Sequence, residues 1–495
     1  MKTPVRNTSR TKIKELPFYI LGIATGLYPI LFYYSNNYSL INSWKHLGFF
    51  IALFIVVPIV AFFFLQYIFK KYSKLEKYKT SVFAFCNALG FLLFIQLCLY
   101  ASLRLLFTVA CFIIAFLIAK FLNKHLLKIV VFQFLIAFAS LFTLIPTIIN
   151  QLSYNEEWLK QPDNIEEAVF TKRPNVYYIQ PDGYVNFSEI NKGYYDIDNS
   201  KFKDFLTTNN FKLYPDIRSN YTSTLVSNSA TFSMKHHYYN RGFNFSETAN
   251  AREIIISKNP VLDIFKNNNY KTHYLAEVSY ILNNFPKMGY DACNFSYEDI
   301  SFITDGFQSE EDITVPLIKY LNEDEEKSKF FFIEIFKPGH VESDKNKTLG
   351  KEAEYEKYKT NLKMSNERLV KVINLINEKD PNGLIIIMAD HGGYAGMEYM
   401  LEVFKKTNDR DKLYSAFSTI LAIKWPDNTA PAIDKNFKTG VNLYRILFSY
   451  LTDNTNYLKH LQEDASYSII DGGAPKGVYK RIDSLGNIVF ERVEQ

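Results

Sequence analysis

The sequence predicts an α-helical membrane domain of about five spans, followed by an α/β domain with a mostly parallel sheet covered by helices on both faces. Two observations predict this fold class. Residues 1–150 contain five apolar runs, each close to the roughly 20 residues that a helix needs to cross the hydrocarbon core of a bilayer. Residues 175–453 instead alternate short apolar runs with amphipathic segments, a pattern typical of parallel strands buried between helices.

The five apolar runs are the predicted membrane spans. The run FFIALFIVVPIVAFFFLQYIF is the clearest, because a buried helix of a soluble protein is rarely apolar on every side over such a length. Only Arg104 interrupts residues 81–122, so a single hinged helix is an alternative there, although two spans fit the length better. The runs lie at residues 17–34, 47–69, 81–102, 105–122 and 129–150.

Basic residues predict the topology. Thirteen Lys and Arg residues lie in the N-terminal arm and in the loops after the second and fourth runs, against two in the alternate loops. Positively charged loops stay in the cytoplasm, so we expect a cytoplasmic N-terminus and, after five spans, an extracytoplasmic or periplasmic second domain. No small-residue cleavage site follows the first run, so we expect no cleaved signal peptide. The two groups are Lys2, Arg6, Arg10, Lys12, Lys14, Lys70, Lys71, Lys74, Lys77, Lys79, Lys120, Lys124 and Lys128, against Lys45 and Arg104.

The remaining chain divides by composition. Residues 151–174 are polar and contain two prolines, which indicates a juxtamembrane linker with one short helix at most. Residues 175–453 form the predicted α/β domain, and residues 454–495 form a tail with β-hairpins. Cys293 is the single cysteine after residue 150, which excludes a disulfide within this part and favours a small buried side chain. The net charge of +5 over 495 residues is too dilute to indicate a nucleic-acid partner.

The elements of the α/β domain follow in order. NVYYIQP is a strand, DNSKFKDFLTTNNF is a helix, and VLDIFKNNNYKTHYLAE and EDITVPLIKYLNEDEEKSKFFFIEIF each combine a helix with a following strand. A long helix ends at the turn Pro-Asn-Gly, before the strand LIIIMA. YSAFSTILAIKW predicts one more strand and VNLYRILFSYL one more helix.

Three predicted strands end in side chains that bind metals. Asp182, His340 and the pair Asp390–His391 follow these strands, and the carboxyl ends of parallel strands share one edge of a sheet. Each residue alone is equally consistent with a turn, but together they predict a metal site. Oxygen and imidazole donors suit one divalent ion such as Zn, Mn or Mg, and a second ion is possible.

A nucleophile candidate lies in SNYTSTLVSNSATFSM, where a cluster of hydroxyl groups precedes a predicted helix. The hydroxyl groups there are equally consistent with helix capping. A hydroxyl at a helix N-terminus is also where backbone N–H groups stabilise a phosphoester, and a bound metal would make that hydroxyl nucleophilic. Capping and catalysis are compatible at this position.

Asp182, Thr224 and the motif Asp390–His391–Gly392 together resemble the alkaline phosphatase superfamily. They are most similar to its sulfatase-like membrane enzymes, which include lipoteichoic acid synthases and phosphoethanolamine transferases and also have about five N-terminal spans. The resemblance implies that residues 175–453 are a catalytic domain of alkaline phosphatase-like fold. It implies metal ligation by Asp182, Thr224, Asp390 and His391, and a covalent intermediate on Thr224. It places His340 near the substrate phosphate, where it would stabilise oxygens or protonate the leaving group.

The sequence also departs from these families. Sulfatases need Cys or Ser in a C/S-x-P-x-R context, whereas Tyr-Thr-Ser-Thr-Leu occurs here, so a sulfate-ester hydrolase of that type is not expected. Asp182 stands where the transferases commonly have Glu, so their donor need not carry over. Lys235 and His236 are candidate substrate-binding residues, although a solvent-facing helix end is the alternative. His340, His236 or His237 could supply a second metal site.

These expectations favour a transferase in the cytoplasmic membrane. It would move a phosphoethanolamine- or phosphoglycerol-type head group from a membrane phospholipid to an envelope glycan or lipid. A phosphodiesterase or phosphatase that uses water is the alternative, and a non-catalytic envelope assembly protein is a third possibility.

Overall fold

The computed structural model describes residues 16–241, 248–307, 310–323 and 327–494 of the chain. Two compact units are present, Met1–Leu152 and Ser153–Gln495. The basic residues predicted for the N-terminal arm lie outside the described residues. The helices of the first unit are α1 (Phe18–Ile41), α2 (Trp44–Ile51), α3 (Val57–Lys71), α4 (Lys79–Tyr100), α5 (Leu105–Leu117) and α6 (Leu126–Leu152).

Four continuous helical segments in the described part of the first unit are long and apolar enough to cross a membrane. The fourth is 48 residues long and contains both of the last two predicted spans. A straight helix of that length would measure about 70 Å, more than twice the hydrocarbon thickness of a bilayer. Its regular α-helical geometry is interrupted by a π-helical segment, Ile118–Leu122, and a single 3₁₀ turn, Asn123–His125. The segments are Phe18–Ile41, Trp44–Lys71, Ser73–Tyr100 and Leu105–Leu152.

Hydrogen bonds show that the chain reverses within the fourth segment. Thr108 bonds Gln96 near the end of α4 over 3.2 Å, and Asn123 bonds Ser81 near its start over 2.9 Å, so α5 runs antiparallel to α4. After this turn α6 runs back in the direction of α4. The reversal agrees with two spans in this region, and hence with about five in all.

A buried polar network ties three of these helices together. Asn87 on α4 donates to Thr25 on α1 over 2.9 Å and to Gln133 on α6 over 3.1 Å. Gln133 donates back to Asn87 over 3.0 Å. Interhelical hydrogen bonds of this kind stabilise helix packing inside a bilayer.

The second unit is built on a seven-stranded, mostly parallel sheet, as predicted. Its strand order is β2-β7-β6-β1-β5-β3-β4, and only the pairings of β7 with β2 and β6 are antiparallel. A separate antiparallel sheet contains β8, β9 and β10. The strands are β1 (Val176–Pro181), β2 (Lys212–Leu213), β3 (Lys271–Ala276), β4 (Ala292–Cys293), β5 (Lys329–Ile335), β6 (Leu384–Met388), β7 (Leu421–Lys424), β8 (Ser466–Ile470), β9 (Gly477–Ile482) and β10 (Ile488–Arg492).

Helices cover both faces of the large sheet because successive strand residues point to opposite sides. Tyr178 contributes to the core shared with α8, α9, α10 and α14, whereas Tyr177 and Ile179 contribute to the core shared with α7, α11 and α12. The helices are α7 (Ser200–Thr208), α8 (Thr224–Ser233), α9 (Ala251–Ile256), α10 (Pro260–Asn267), α11 (Thr314–Asn322), α12 (Lys351–Lys379), α13 (Arg410–Phe417) and α14 (Leu443–Leu451).

Two local features differ from the predicted elements. The start of YSAFSTILAIKW belongs to α13, and only Leu421–Lys424 forms a strand, antiparallel to β6. The predicted linker packs on the second unit: Phe170 is buried in its core, and Asp163 pairs with the buried Arg445 over 2.8 Å. The sequence shows only that these residues are polar, which indicated a linker. Their partners lie far away in the chain, so the local sequence could not show this packing.

Candidate active site

Three side chains with metal-binding atoms meet at the carboxyl edge of the large sheet. Asp182 follows β1, and Asp390 and His391 follow β6. Because β1 and β6 are adjacent and parallel, their ends lie side by side. One ligand-type atom from each of the three residues lies within 4.8 Å of the other two, and all three residues are buried. Among the described residues this is the one group of this kind.

Thr224 lies against this cluster as the first residue of α8. Its Oγ1 is 3.4 Å from Asp182 Oδ1 and 3.4 Å from His391 Nε2. Ser223, the N-cap residue, is extended, and its hydroxyl makes no capping hydrogen bond with any described residue. The N–H groups of the first turn of α8 therefore stay available for an anion bound beside the Thr224 hydroxyl.

Gly183 allows the chain after β1 to reach this position. Its φ is +68°, and a Cβ there would lie 2.2 Å from the carbonyl oxygen of Gly339. The Gly183 amide donates to Asp390 Oδ1 over 3.3 Å. A larger residue would push apart the loops that follow β1 and β5, so their close approach requires a glycine after Asp182.

The cluster has the electrostatics of a cation site. Burial raises the pKa of both Asp182 and Asp390. Burial alone would lower the pKa of His391, but the neighbouring carboxylates, Asp390 first, outweigh it and raise this pKa. Two buried carboxylates this close repel one another unless a positive charge joins them.

The donor atoms fit a divalent metal ion. His391 Nδ1 lies 2.8 Å from the Gly392 carbonyl oxygen and donates to it. The lone pair of Nε2 then faces Asp182 Oδ1 and Asp390 Oδ2, each 3.3 Å away. Asp390 Oδ2 is buried and has no hydrogen-bond partner among the described residues. Two carboxylates and one imidazole, oriented by a backbone carbonyl, match Zn, Mn or Mg.

His340 lies next to this cluster. Its ring centroid is 5.6 Å from that of His391, and its Nδ1 lies 2.6 Å from the carbonyl oxygen of Val341. This hydrogen bond leaves Nε2 as the free nitrogen. Burial, with a contribution from His391, lowers the pKa of His340 to about 4. His340 is therefore a neutral imidazole at neutral pH rather than a cation.

The structure does not support His236 or Lys235 as substrate ligands. His236 uses both ring nitrogens, since Nδ1 bonds the Tyr221 hydroxyl over 3.0 Å and Nε2 bonds the Glu463 carbonyl over 2.8 Å. Lys235 lies beyond the last turn of α8, at the opposite end from Thr224. Burial, followed by the charge of Arg445, lowers the pKa of Lys235.

His237 also fails as a ligand for a second metal ion. Its Nε2 bonds the carbonyl of Val226 over 2.8 Å, and its Nδ1 accepts from the Tyr239 amide over 2.9 Å. Cys293 is equally inert, because burial raises its pKa to about 11 and keeps the thiol protonated. The hydrogen bonds of His236 and His237 depend on the folded structure, so no sequence pattern could show them.

Two residues of this region were not recognised from sequence. Tyr394 is fully buried, and its ring centroid lies 5.5 Å from that of His391 and 5.8 Å from that of His340. Lys337, in the loop that leads to His340, lies near enough to Asp182 for its charge to oppose the rise in the pKa of that carboxyl. A phenol three residues after Asp-His and a lysine in a loop carry no periodic signal that could have found them.

A family model described as Sulfatase matches residues 185–452, which is more than half of the chain. The matched range contains Thr224, His340, Asp390 and His391, whereas Asp182 lies just before its start. No curated protein sequence matches the chain.

Solved structures with a similar arrangement share little sequence with this chain. The C-terminal periplasmic domain of EcEptC from Escherichia coli, in complex with Zn, is 12% identical, with 58% of this chain and 85% of that chain covered and a TM-score of 0.40. The lipoteichoic acid synthase LtaP from Listeria monocytogenes is 11% identical, with 66% and 91% covered and a TM-score of 0.43. The putative sulfatase yidJ from Bacteroides fragilis is 13% identical, with 60% and 81% covered and a TM-score of 0.39.

Proposed function

Because this chain belongs to the sulfatase family, and is thus a sulfatase-like hydrolase or transferase, we propose that it transfers a phosphate-linked head group from a membrane phospholipid to an envelope glycan or lipid. The head group is of the phosphoethanolamine or phosphoglycerol type. The reaction proceeds through a covalent intermediate on Thr224. The proposed site residues are Thr224, His340, Asp182, Asp390 and His391.

The position of the Thr224 hydroxyl carries the proposal. It is 3.4 Å from one carboxylate oxygen and 3.4 Å from one imidazole nitrogen of the metal-binding cluster, at the N-terminus of a ten-residue helix. A capping hydroxyl would bond a backbone N–H of its own helix, whereas this one is held by the side chains of Asp182 and His391. This is the arrangement of an activated nucleophile with an anion site beside it.

In the first step Thr224 attacks the phosphorus of the phospholipid. The bond from Thr224 Oγ1 to phosphorus forms as the bond from phosphorus to the diacylglycerol oxygen breaks. A divalent cation bound by Asp182, Asp390 and His391 would lower the pKa of the Thr224 hydroxyl and offset the phosphate charge. His340 takes the hydroxyl proton at its free Nε2, and water on the opposite side of the phosphorus protonates the departing diacylglycerol oxygen.

In the second step an acceptor hydroxyl attacks the phosphothreonine. The acceptor oxygen forms its bond to phosphorus as the bond to Thr224 Oγ1 breaks. The acceptor loses its proton to water, and His340 returns to Thr224 the proton that it took in the first step. The N–H groups at the start of α8 hold the phosphate oxygens in both steps. Because burial lowers the pKa of His340 to about 4, its imidazole is neutral at the start of the cycle, with Nε2 unprotonated.

The first unit supports a lipid donor. Its apolar helical segments anchor the chain in a membrane, and their arrangement agrees with about five spans. With the basic loops on the cytoplasmic side, an odd number of spans places the second unit outside the cytoplasm. A hydrolase of soluble substrates would gain nothing from such an anchor, so the membrane is best explained as the source of the substrate.

Intact-mass analysis tests the proposal. The purified full-length chain is incubated with phospholipids and Mn²⁺ or Zn²⁺, beside the variants Thr224→Ala and Ser223→Ala. We expect an added mass on the wild type and on Ser223→Ala, and none on Thr224→Ala. Ser223 is the matched control because its hydroxyl is one residue away on the same helix end. The mass identifies the transferred group.

Other outcomes would change the assignment. An adduct that persists on Thr224→Ala would remove Thr224 as the nucleophile. Intact lipids without any adduct would remove head-group transfer from these phospholipids. Lipid that is consumed without an acceptor, with release of the free head-group phosphate, would show that water is the acceptor and that the chain is a phosphodiesterase.

A further inference from the structure

Three aromatic side chains form a wall beside the candidate metal site. The rings of Tyr280 and Phe307 stack, with centroids 5.0 Å apart and 26° between their planes. Phe336 meets both rings edge-on, with its centroid 6.0 Å from that of Tyr280 and 5.6 Å from that of Phe307. We call Tyr280, Phe307 and Phe336 the aromatic wall.

The aromatic wall begins one strand away from Asp182. Pro181 pairs with Ile335 in the register of β1 and β5, and the Asp182 amide donates to the Ile335 carbonyl over 2.8 Å. Phe336 therefore occupies the backbone position next to Asp182, at the spacing of about 5 Å between neighbouring strands. The wall therefore starts at the same carboxyl edge of the sheet as the metal-binding cluster.

The three rings of the wall are held in place by local packing and are partly exposed to solvent. The side chain of Phe307 is 54% exposed, and Tyr280 and Phe336 are partly exposed. Gly306, with φ of +87°, lets the chain that carries Phe307 lie on Tyr280, since a Cβ at this position would lie 2.5 Å from the Tyr280 Cα. Phe307 thus presents an exposed ring as part of a three-ring aromatic surface, where a ligand with an apolar face can pack.

Charged groups around the wall narrow the choice of ligand. Arg368 pairs with Glu277 over 2.7 Å and also with Glu310, and the Phe336 amide donates to Glu277 over 2.9 Å. The Arg252 guanidinium already lies 5.0 Å from the Tyr280 ring centroid, which disfavours a second cation on that ring. The Glu310 side chain is 46% exposed, so this carboxylate and the Arg368 guanidinium that it pairs with offer polar contacts to a ligand on the wall.

A pyranose ring matches both features, because its C–H face packs on aromatic rings while its hydroxyl groups bond charged side chains. We propose that the aromatic wall is a saccharide subsite that holds one sugar ring of the acceptor. This inference rests on the proposed function and deepens it, since it selects a glycan over a lipid as the acceptor.

Saturation-transfer NMR on the full-length Thr224→Ala variant, in detergent with Mg²⁺, tests the subsite without any turnover. The probes are the methyl glycosides of glucose, galactose, mannose and N-acetylglucosamine. We expect saturation of ring C–H protons by at least one glycoside. Adding Phe307→Ala should weaken its binding by about three- to tenfold, the range for loss of one aromatic contact. Phe307→Tyr should retain binding.

Phe490→Ala is the matched control, because it removes one ring of another stacked aromatic pair, with Tyr479, in the C-terminal sheet. It should leave glycoside binding unchanged. The subsite is excluded if no glycoside is saturated, or if Phe307→Ala binds as tightly as its parent. If the acyl protons of dihexanoyl phosphatidylglycerol were saturated in place of any glycoside, the wall would bind lipid. That result would also overturn the saccharide subsite. Because these measurements use a chain without the nucleophile, glycoside binding stands even if no phosphothreonine ever forms.

Discussion

The hydroxyl of Tyr394 donates a hydrogen bond to the backbone carbonyl of Thr222, two residues before Thr224. The ring that carries this hydroxyl packs against both His391 and His340. One buried side chain thus connects the nucleophile segment to a metal ligand and to the proposed proton carrier. The relationship assigns Tyr394 the role of a positioning residue.

Tyr394→Phe should slow formation of the covalent adduct without weakening metal binding. It keeps the ring packed against the two histidines but removes the hydrogen bond to the Thr222 carbonyl. Loss of one buried hydrogen bond corresponds to about a tenfold lower rate. The measurement is the rate of adduct formation at saturating lipid, beside metal affinity by calorimetry. Tyr479→Phe, which removes a similar bond to the Pro475 carbonyl in the C-terminal sheet, is the control. Equal rates in wild type and Tyr394→Phe would remove this role.

Metal addition should stabilise the wild-type chain and not Asp390→Asn. A ligand that binds only the folded state adds about 2.7 kcal/mol at a hundredfold excess over its Kd. Without a cation, Asp182 and Asp390 remain close and buried. The check is the rise in Tm when Mn²⁺ or Zn²⁺ is returned to chelator-treated protein. Asp198→Asn, the same change at an exposed position, should respond as wild type does. A similar rise in Asp390→Asn would place the metal elsewhere.

Glu277 should make stability depend on pH. Burial raises its pKa from 4.5 in the unfolded chain to about 7, even though Arg368 pairs with it. Below pH 4.5 Glu277 is protonated in both the folded and the unfolded chain, and its full contribution to the free energy of unfolding is present. As the pH rises through 7 the folded state must lose this proton, and up to about 3 kcal/mol is lost. Unfolding midpoints followed by tryptophan fluorescence should fall over this window in wild type and less in Glu277→Gln. Parallel pH profiles would contradict the assignment.

Asp163→Ala should destabilise the second unit strongly. Its partner Arg445 is fully buried, so removing the carboxylate leaves a buried, unpaired charge, at a cost of about 3–5 kcal/mol. Lys172→Ala breaks the exposed pair with Asp453 and should cost less than about 1 kcal/mol. Urea unfolding of both variants gives the comparison. Equal losses would mean that residues 153–174 contribute little to this unit.

Strong local patterns were sufficient to predict much of this protein. Long apolar runs indicated the membrane helices, and apolar strands ending in Asp182 and Asp390–His391 indicated the edge where a cation would bind. Hydrophobic burial and the parallel arrangement of the strands determine both features, and each is encoded in a short stretch of sequence. The reversal near residues 118–125 followed in the same way from the length limit set by the bilayer.

Other features depend on partners that are distant in sequence. The sequence left open whether His236 binds a ligand or lies at a solvent-facing helix end. Only the tertiary structure shows that its two ring nitrogens bond Tyr221 and Glu463. The contact of Tyr394 with Thr222 and the aromatic wall beside Asp182 likewise require the strand register and the loops to be in place. The sequence by itself determined the membrane helices, most elements of the second unit and the residues that follow β1 and β6. Only the tertiary structure decided which of those residues share a site, because hydrogen bonding and ring packing depend on distances that no local pattern records.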